Sequence, residues 1–131
     1  MKTRRKARDY MSRNLLVLSP DMDLDDAIHL LVTRDVSSAP VVDARGDLVG
    51  LLTDKDCFRA AYEASYHQEM AGPVRGLMSA EVDVIGADMD MVELLGLFFA
   101  GPRRRFPVVD RHRLVGMLSR RDMLRALHEL R

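Results

Sequence analysis

Cysteine is almost missing from this sequence of 131 residues, in which Cys57 is the only one. A single thiol cannot form a disulfide within the chain, so no disulfide framework is expected. The four histidines lie apart, without the paired spacing that metal sites usually show. No glycine-rich phosphate loop of the P-loop type, no serine-histidine-acid set and no cysteine-histidine pair can be placed in the sequence. We therefore expect no catalysis, no metal and no required cofactor.

Neither sign of charge is in excess, because Lys and Arg number 20 and Asp and Glu also number 20. Such a chain has no overall field that would attract nucleic acid or an anionic membrane, so any anion must be bound by local groups. No uninterrupted apolar run approaches the roughly 18 residues of a membrane-spanning helix. Met1 to Arg8 also lacks the apolar stretch of a secretion signal. These absences predict a cytoplasmic protein with no nucleic-acid or membrane partner.

What the sequence does contain is an internal repeat. Met11-Ser12 recurs as Met78-Ser79 at an offset of 67 residues, and Pro40 to Asp43 recurs as Pro107 to Asp110 at the same offset. One residue is lost in the following turn, and the order then continues at an offset of 66. The matched pairs in that part are Gly50 and Gly116, Thr53 and Ser119, and Asp56 and Asp122. A chance match of composition would not keep this order.

Each copy reads as strand, helix, strand, turn, strand, helix. Apolar residues recur with helical spacing from Leu24 to Val32 and from Met91 to Phe99, and an aspartate that can cap the helix precedes each run. Closing helices are expected to begin near Thr53 and Ser119. Short apolar runs predict strands at Leu15–Leu18, Ala39–Val42 and Leu48–Leu52, with counterparts at Val82–Ile85, Phe106–Val109 and Leu114–Leu118. The sequence thus predicts an α+β fold.

The repeat also predicts the domain organisation. Residues 8–62 are interpreted as the first domain and residues 76–131 as the second. Residues 63–75 connect them; the early part of this segment lacks helix breakers and should prolong a helix, which Gly72-Pro73 would end. A unit of about 50 residues buries little surface alone, so two copies packed face to face are favoured.

The ordered set of residues in each copy resembles a CBS domain. In the first copy this set comprises Met11-Ser12, Pro20-Asp21, Ser38 to Asp43 and Gly50 to Asp56, and the second copy also resembles the family. The resemblance covers about Asp9 to His128. It implies a Bateman module, in which two β-α-β-β-α repeats pack as a pseudo-two-fold pair with small sheets flanked by helices. It also implies a non-catalytic regulatory module that binds AMP, ADP, ATP or S-adenosylmethionine in two clefts between the repeats. Such pairs commonly form homodimers and report to an effector protein, which is unknown here.

The resemblance assigns ligand-binding roles by position. Glycines would let the backbone approach the ligand, hydroxyls at a helix start would meet phosphate, and aspartates would accept hydrogen bonds from the ribose. These residues are Gly50, Thr53 and Asp56 in one copy and Gly116, Ser119 and Asp122 in the other. Contacts to the base fall at Val17, Ala39 and Pro40, and at Val84, Phe106 and Pro107. Arg105 and Arg120 belong to a group of five arginines in the second copy, which predicts that a phosphate-bearing ligand prefers that copy.

Each assignment has an alternative that needs no ligand. The pattern Thr53-x-x-Asp56 and its counterpart also suit helix capping, and the valines also suit an ordinary core. Phe106 either stacks on adenine or fills the space that adenine would occupy, and a run of arginines can be a solvated face. A second function therefore stays open, that of a structural dimerisation or protein-interaction module with vacant clefts.

Overall fold

The computed structural model describes residues 5–67 and 72–129, and these residues form helices and short strands in the predicted α+β arrangement. The helices are α1 (Ala7–Tyr10), α2 (Leu24–Thr33), α3 (Asp54–His67), α4 (Met91–Ala100) and α5 (Arg120–Glu129). The strands are β1 (Ser38–Val42), β2 (Leu48–Thr53), β3 (Ile85–Gly86), β4 (Arg105–Asp110) and β5 (Arg113–Ser119). A short 3₁₀ helix spans Val74–Gly76.

The chain divides into two compact units. The repeat-1 unit is Leu16–Val82, and the repeat-2 unit combines the residues up to Leu15 with the residues from Asp83 onward. Each unit therefore contains one copy of the helix, hairpin and closing helix that the repeat predicts.

The repeat-1 unit is built on an antiparallel hairpin of β1 and β2, in which Pro40 lies opposite Leu51. Leu18 adds a parallel bridge to this hairpin at Val41. Helix α2 buries Leu24, Ala27 and Leu31, whose spacing places them on one face of the helix. The core of the unit includes the fully buried Leu18, Leu24, Val41, Leu52 and Val74.

The repeat-2 unit has a sheet in the order β3-β4-β5, with β3 parallel and β5 antiparallel to β4. Helix α4 buries Met91, Leu94 and Phe98 at the same spacing as α2, and the side chain of Asp90 caps it by accepting from the amide of Val92. The core of the unit also includes Ile85, Val108 and Leu118.

Each unit is completed by a segment that precedes the other copy in the sequence. In the repeat-2 unit, Ser12 and Met117 exchange two backbone hydrogen bonds of 2.8 and 3.0 Å. In the repeat-1 unit, Ser79 and Leu51 exchange two of 2.9 Å each. Each Met-Ser pair thus belongs to one copy of the repeat in the sequence but packs in the unit that the other copy mainly forms.

The first strand of each copy is shorter than predicted. Of Leu15–Leu18, only Leu18 forms a bridge, and of Val82–Ile85, only Ile85 lies in β3. The valines just before these residues, Val17 and Val84, are 41% and 42% exposed. Only the last apolar residue of each run therefore lies alongside the neighbouring strand.

Helix α3 extends past Ala61 to His67, as the lack of helix breakers predicts, and residues 68–70 lie outside the described residues. Over residues 5–67 and 72–129, no helix is both long and apolar enough to cross a membrane.

Candidate functional site

The two hydroxyl-aspartate pairs lie where the second strand of each hairpin passes into the closing helix. Oδ2 of Asp56 accepts hydrogen bonds from the amide and the hydroxyl of Thr53, at 2.9 and 3.0 Å. The Thr53 hydroxyl in turn accepts from the amide of Asp56 at 3.2 Å. Nη2 of Arg59 lies 2.7 Å from the other carboxylate oxygen, Oδ1. This is a reciprocal capping arrangement, which stabilises the start of α3 without any ligand.

The second copy repeats this arrangement almost atom for atom. Oδ2 of Asp122 accepts from the amide of Ser119 at 2.8 Å and from its hydroxyl at 3.0 Å. Oδ1 accepts from Nη2 of Arg125 at 2.8 Å. A carboxylate has about four lone-pair sites, so each aspartate retains capacity for a further donor such as a ribose hydroxyl.

The two aspartates differ in how much of that capacity the protein uses. The Asp56 side chain is 4% exposed, and the Ser79 hydroxyl lies 3.4 and 3.5 Å from its two oxygens. The Asp122 side chain is 13% exposed. In the part of the chain that the structure describes, the matching serine, Ser12, makes no hydrogen bond to Asp122. Asp122 is therefore the more available acceptor.

The two motif glycines are required by the packing of the chain itself. A Cβ atom on Gly50 would lie 2.4 Å from Sδ of Met78 and 3.0 Å from the carbonyl oxygen of Ser79. A Cβ atom on Gly116 would lie 2.5 Å from Sδ of Met11 and 2.9 Å from the carbonyl oxygen of Ser12. The space beside each glycine is thus occupied by the Met-Ser segment of the same unit. A contact with ligand at these positions stays a prediction.

The residues predicted to contact the base fall into an accessible and a buried group. Val17 and Val84 are 41% and 42% exposed and present apolar surface. The buried group comprises Ala39, Pro40, Phe106 and Pro107. The ring of Phe106 packs edge-on against Phe98, with ring centroids 5.1 Å apart. Among these candidates, the two valines are the side chains that a base can reach most freely.

The arginines of the second copy separate into engaged and unengaged side chains. Arg103 forms an ion pair with Asp83, at 3.0 Å between Nη2 and Oδ2. Arg120 donates from Nε to the carbonyl of Arg103 at 3.2 Å and from Nη2 to the carbonyl of Gly101 at 3.5 Å. Within residues 5–67 and 72–129, the guanidinium groups of three further arginines make no hydrogen bond or ion pair. These three are Arg104, Arg105 and Arg121.

The unengaged arginines lie around the start of α5. Arg105 is the register partner of Ser119 across β4 and β5, and the carbonyl of Arg104 accepts from the amide of Arg120. The matching positions in the repeat-1 unit carry no arginine. They are Ser37, Ser38, Asp54 and Lys55, which match Arg104, Arg105, Arg120 and Arg121. The predicted difference in arginine content is therefore a difference between two structurally equivalent places.

Sequence reasoning gave no role to the serine of the Met-Ser pair. The structure places Ser79 beside Asp56. The signal in the sequence that points to this serine is the constant offset at which the Met-Ser pair recurs. Arg104 and Arg121 belong to the same group of five arginines, and their side chains lack the partners that Arg103 and Arg120 have. Which arginines pair with carboxylates or carbonyls depends on contacts across the unit, which no local pattern indicates.

Cys57 follows Asp56 and is buried. Burial raises the pKa of the Cys57 thiol, and the carboxylates of Asp56 and Asp54 raise it further. The thiol therefore stays protonated near neutral pH, which disfavours thiolate chemistry. Among the described residues, no group of His, Cys, Asp and Glu side chains is placed to hold a metal ion.

Comparisons with known proteins converge on one family. The family model described as CBS domain matches twice, at residues 7–63 and 74–129. Among solved structures, CBSX2 of Arabidopsis thaliana in complex with AMP has a TM-score of 0.83 and 29% identity, covering 95% of this chain and 97% of that one. The CBS domain-containing protein YhcV of Bacillus subtilis is 29% identical over 116 residues, which cover 88% of this chain and 81% of YhcV.

A third relative is a much longer enzyme. The chain is 30% identical over 122 residues to inosine-5'-monophosphate dehydrogenase of Methanocaldococcus jannaschii, which covers 92% of this chain and 23% of that enzyme. The chain thus spans about a quarter of the length of this curated relative. The similarity lies within the part that matches the CBS domains, so it carries over no dehydrogenase chemistry.

Proposed function

Because the chain belongs to the CBS domain family and carries two copies of the domain, we propose that it is a non-catalytic regulatory module for an adenosyl ligand. The ligand class comprises AMP, ADP, ATP and S-adenosylmethionine. We assign phosphate-bearing members of this class to the repeat-2 unit. The observation that carries this assignment is the set of unengaged guanidinium groups of Arg104, Arg105 and Arg121 around the start of α5.

These three guanidinium groups would supply the attraction for a phosphate group, because the protein as a whole carries no net charge. A guanidinium group stays charged at any physiological pH and forms paired hydrogen bonds with phosphate oxygens. Since the formal net charge of the chain is zero, no overall field adds to this local attraction. At the equivalent place in the repeat-1 unit, Asp54 would repel a phosphate. A ligand without phosphate, such as S-adenosylmethionine, suits that unit better.

The two aspartates that would accept hydrogen bonds from the ribose also support assigning the phosphate-bearing ligand to the repeat-2 unit. Asp122 has no bond from the described Ser12 and is 13% exposed, whereas Asp56 is 4% exposed and lies beside the Ser79 hydroxyl. A ribose hydroxyl therefore displaces fewer existing contacts at Asp122. The AMP complex of CBSX2, which is similar over nearly the whole chain, supports adenosine monophosphate as the first ligand to test.

Isothermal titration calorimetry with AMP, ATP and S-adenosylmethionine tests the proposal. Ser119→Ala removes a hydroxyl from the proposed phosphate site, and Thr53→Ala is the matched change in the other unit. The Ser119 hydroxyl donates its one proton to Asp122, and we expect it to turn toward the phosphate when AMP binds. The Ser119 variant should therefore weaken AMP binding roughly tenfold, and the Thr53 variant should have a much smaller effect. Both variants lose a capping bond, so thermal unfolding must show that each remains folded.

Two results would count against this function. Equal losses of AMP affinity in the two variants would refute the assignment to the repeat-2 unit. An absence of heat with every ligand, in folded protein, would refute ligand binding and leave the structural module as the function.

The second candidate function is supported by the apolar surface of the helices. Large side chains are exposed on α2, α3, α4 and α5, and they include Val32 (72%), Phe58 (67%), Phe99 (92%) and Leu124 (61%). Apolar patches of this kind are typical of protein interfaces. We propose that the chain forms a homodimer through these helices, and that in this second function the dimer docks an effector protein without any ligand. Sedimentation velocity tests the first step, and a monomer at concentrations well above micromolar would exclude it.

A further inference from the structure

The N-terminal strap, defined as residues 5–12, packs along the rest of the repeat-2 unit. The amides of Ala7 and Arg8 donate 3.0 Å hydrogen bonds to backbone carbonyls in the turn before α4, and Ser12 is paired with Met117 in β5. The ion pairs that the strap forms with this unit join exposed side chains, and such pairs contribute little to stability. Backbone hydrogen bonds and buried apolar side chains therefore hold the strap in place.

A buried polar group of the strap opposes this packing. Tyr10 is 7% exposed, and within residues 5–67 and 72–129 its hydroxyl makes no hydrogen bond. A buried hydroxyl without a partner costs free energy relative to the same group in water. The closed position of the strap is therefore less stable than its backbone hydrogen bonds alone would make it, and a small further contact can shift the balance between closed and open.

Arg125 supplies a contact of this kind, and it also binds the predicted ribose acceptor. Its Nη2 atom donates to Oδ1 of Asp122 at 2.8 Å and to the carbonyl oxygen of Tyr10 in the strap at 3.4 Å. One nitrogen with two N–H groups thus contacts both partners. The bond to Asp122 is short and charge-assisted, whereas the bond to Tyr10 is long. Because the Arg125 side chain is 55% exposed, water competes for the second N–H.

The matching arginine of the repeat-1 unit makes only the first of these two contacts. Arg59 lies 2.7 Å from Asp56, but in the part of the chain that the structure describes it makes no hydrogen bond to the carbonyl of Leu77, the counterpart of Tyr10. Residues 72–79 are nevertheless bound to that unit by the same backbone hydrogen bonds that bind the strap. An arginine therefore joins the aspartate to this segment in one unit only, the one to which AMP is assigned above.

We propose that Arg125 couples ligand binding at Asp122 to closure of the N-terminal strap. This inference rests on the function proposed above and adds a positioning residue to it. A ribose bound to Asp122 covers the Asp122–Arg125 pair and excludes the water that competes for Nη2. The carbonyl of Tyr10 then remains as the partner of the second N–H, so the strap is held more firmly. By thermodynamic linkage, a closed strap favours the ligand to the same extent.

Hydrogen exchange of the strap amides, those of Ala7, Arg8 and Ser12, tests the link in ligand-free protein. Arg125→Met keeps an apolar side chain and removes both contacts, so the strap amides should exchange about threefold faster, the effect of losing one weak hydrogen bond. Arg125→Lys keeps a charged donor and should exchange at nearly the wild-type rate. Arg59→Met is the matched control and should leave the strap amides unchanged.

The same measurement with AMP tests the coupling, at concentrations that calorimetry shows to saturate each variant. In the wild type, AMP should slow exchange of the strap amides about threefold, because the bond to Tyr10 that Arg125→Met removes is the one that AMP strengthens. In Arg125→Met, AMP should leave exchange of the strap amides unchanged even though the ligand is bound.

Several results would overturn this coupling. They are an unchanged strap in Arg125→Met, an equal change in Arg59→Met, faster exchange throughout β4 as well as the strap, and protection by AMP that persists in Arg125→Met. If AMP gives no heat with the wild-type protein, the function proposed above fails and the coupling fails with it. The ligand-free exchange rates then still decide whether Arg125 holds the strap.

Discussion

Replacing the motif glycines with alanine separates packing from ligand binding. In Gly116→Ala the new Cβ would lie 2.5 Å from Sδ of Met11 and 2.9 Å from the carbonyl oxygen of Ser12. The sulfur must retreat by about 1 Å to reach ordinary contact, and the Ser12 carbonyl cannot retreat without lengthening its 3.0 Å bond from the amide of Met117. We therefore expect a loss of stability even in the absence of any ligand.

The magnitude follows from two opposing effects. Overpacking a filled site costs about 1–3 kcal/mol, and replacing glycine by alanine in a strand returns about 0.5–1 kcal/mol. The difference between these ranges is a loss of about 0–2.5 kcal/mol with a midpoint near 1 kcal/mol, which corresponds to roughly 3–6 °C in Tm for a chain of this size. Gly50→Ala should cost less than Gly116→Ala, because Met78 is half-buried and free to turn away whereas Met11 is buried.

The assay is thermal and urea unfolding, followed by calorimetry with AMP. Gly96→Ala is the matched control: Gly96 lies within α4, is exposed, and has no atom within 4 Å of its Cβ position. That change should stabilise the protein by about 0.5–1 kcal/mol, since alanine favours the helix. Met11→Ala should partly rescue Gly116→Ala. If both motif variants kept full stability and lost AMP binding, the glycines would serve the ligand and the packing argument would be wrong.

Two further predictions concern the repeat-2 unit. Arg111 and His112 form the whole β4–β5 connection, and their φ angles of 52° and 72° are ones that asparagine and glycine tolerate better. Changing both residues to Asn-Gly should therefore raise the free energy of unfolding in urea by about 1 kcal/mol. An unchanged or lower free energy of unfolding would contradict this. The hydrogen bond and charge of Arg8 lower the pKa of the Asp88 carboxyl from its ordinary value of 3.8. A lowered folded pKa gives stability that is present above about pH 4 and is lost as the pH falls through the folded value. The stability difference between wild type and Arg8→Gln should therefore be constant near neutral pH and shrink in acid, and a difference independent of pH would refute the role of Asp88.

Local sequence patterns were sufficient for the helices and hairpins. The apolar spacing that begins at Leu24 and at Met91 predicted α2 and α4, and the structure begins these helices at the same two residues. The valine-rich hairpins were also predicted, because each pairs neighbouring segments across a short turn. In each of these cases the interactions that define the element lie close together in the sequence.

The less local features were not predictable in the same way. The backbone hydrogen bonds of Ser12 with Met117 and of Ser79 with Leu51 join segments that are far apart in the sequence or belong to different copies. A local pattern therefore marks the Met-Ser pair as part of the repeat and does not show its structural role. The spacing of Thr53 and Asp56 predicts that they cap the start of α3, but it does not predict the near-complete burial of the Asp56 side chain. Whether Arg120 faces a phosphate or the end of α4 also depends on tertiary contacts.

The interleaving of the closing segments has a consequence for synthesis on the ribosome. The repeat-1 unit is one continuous stretch, so all of its contacts can form once residue 82 has left the exit tunnel. The repeat-2 unit joins α1 to strands that are made after the whole repeat-1 unit, so α1 must wait for them without its partners. Although segments generally fold as they emerge, α1 is made before the repeat-1 unit and gains its tertiary contacts only after that unit is complete.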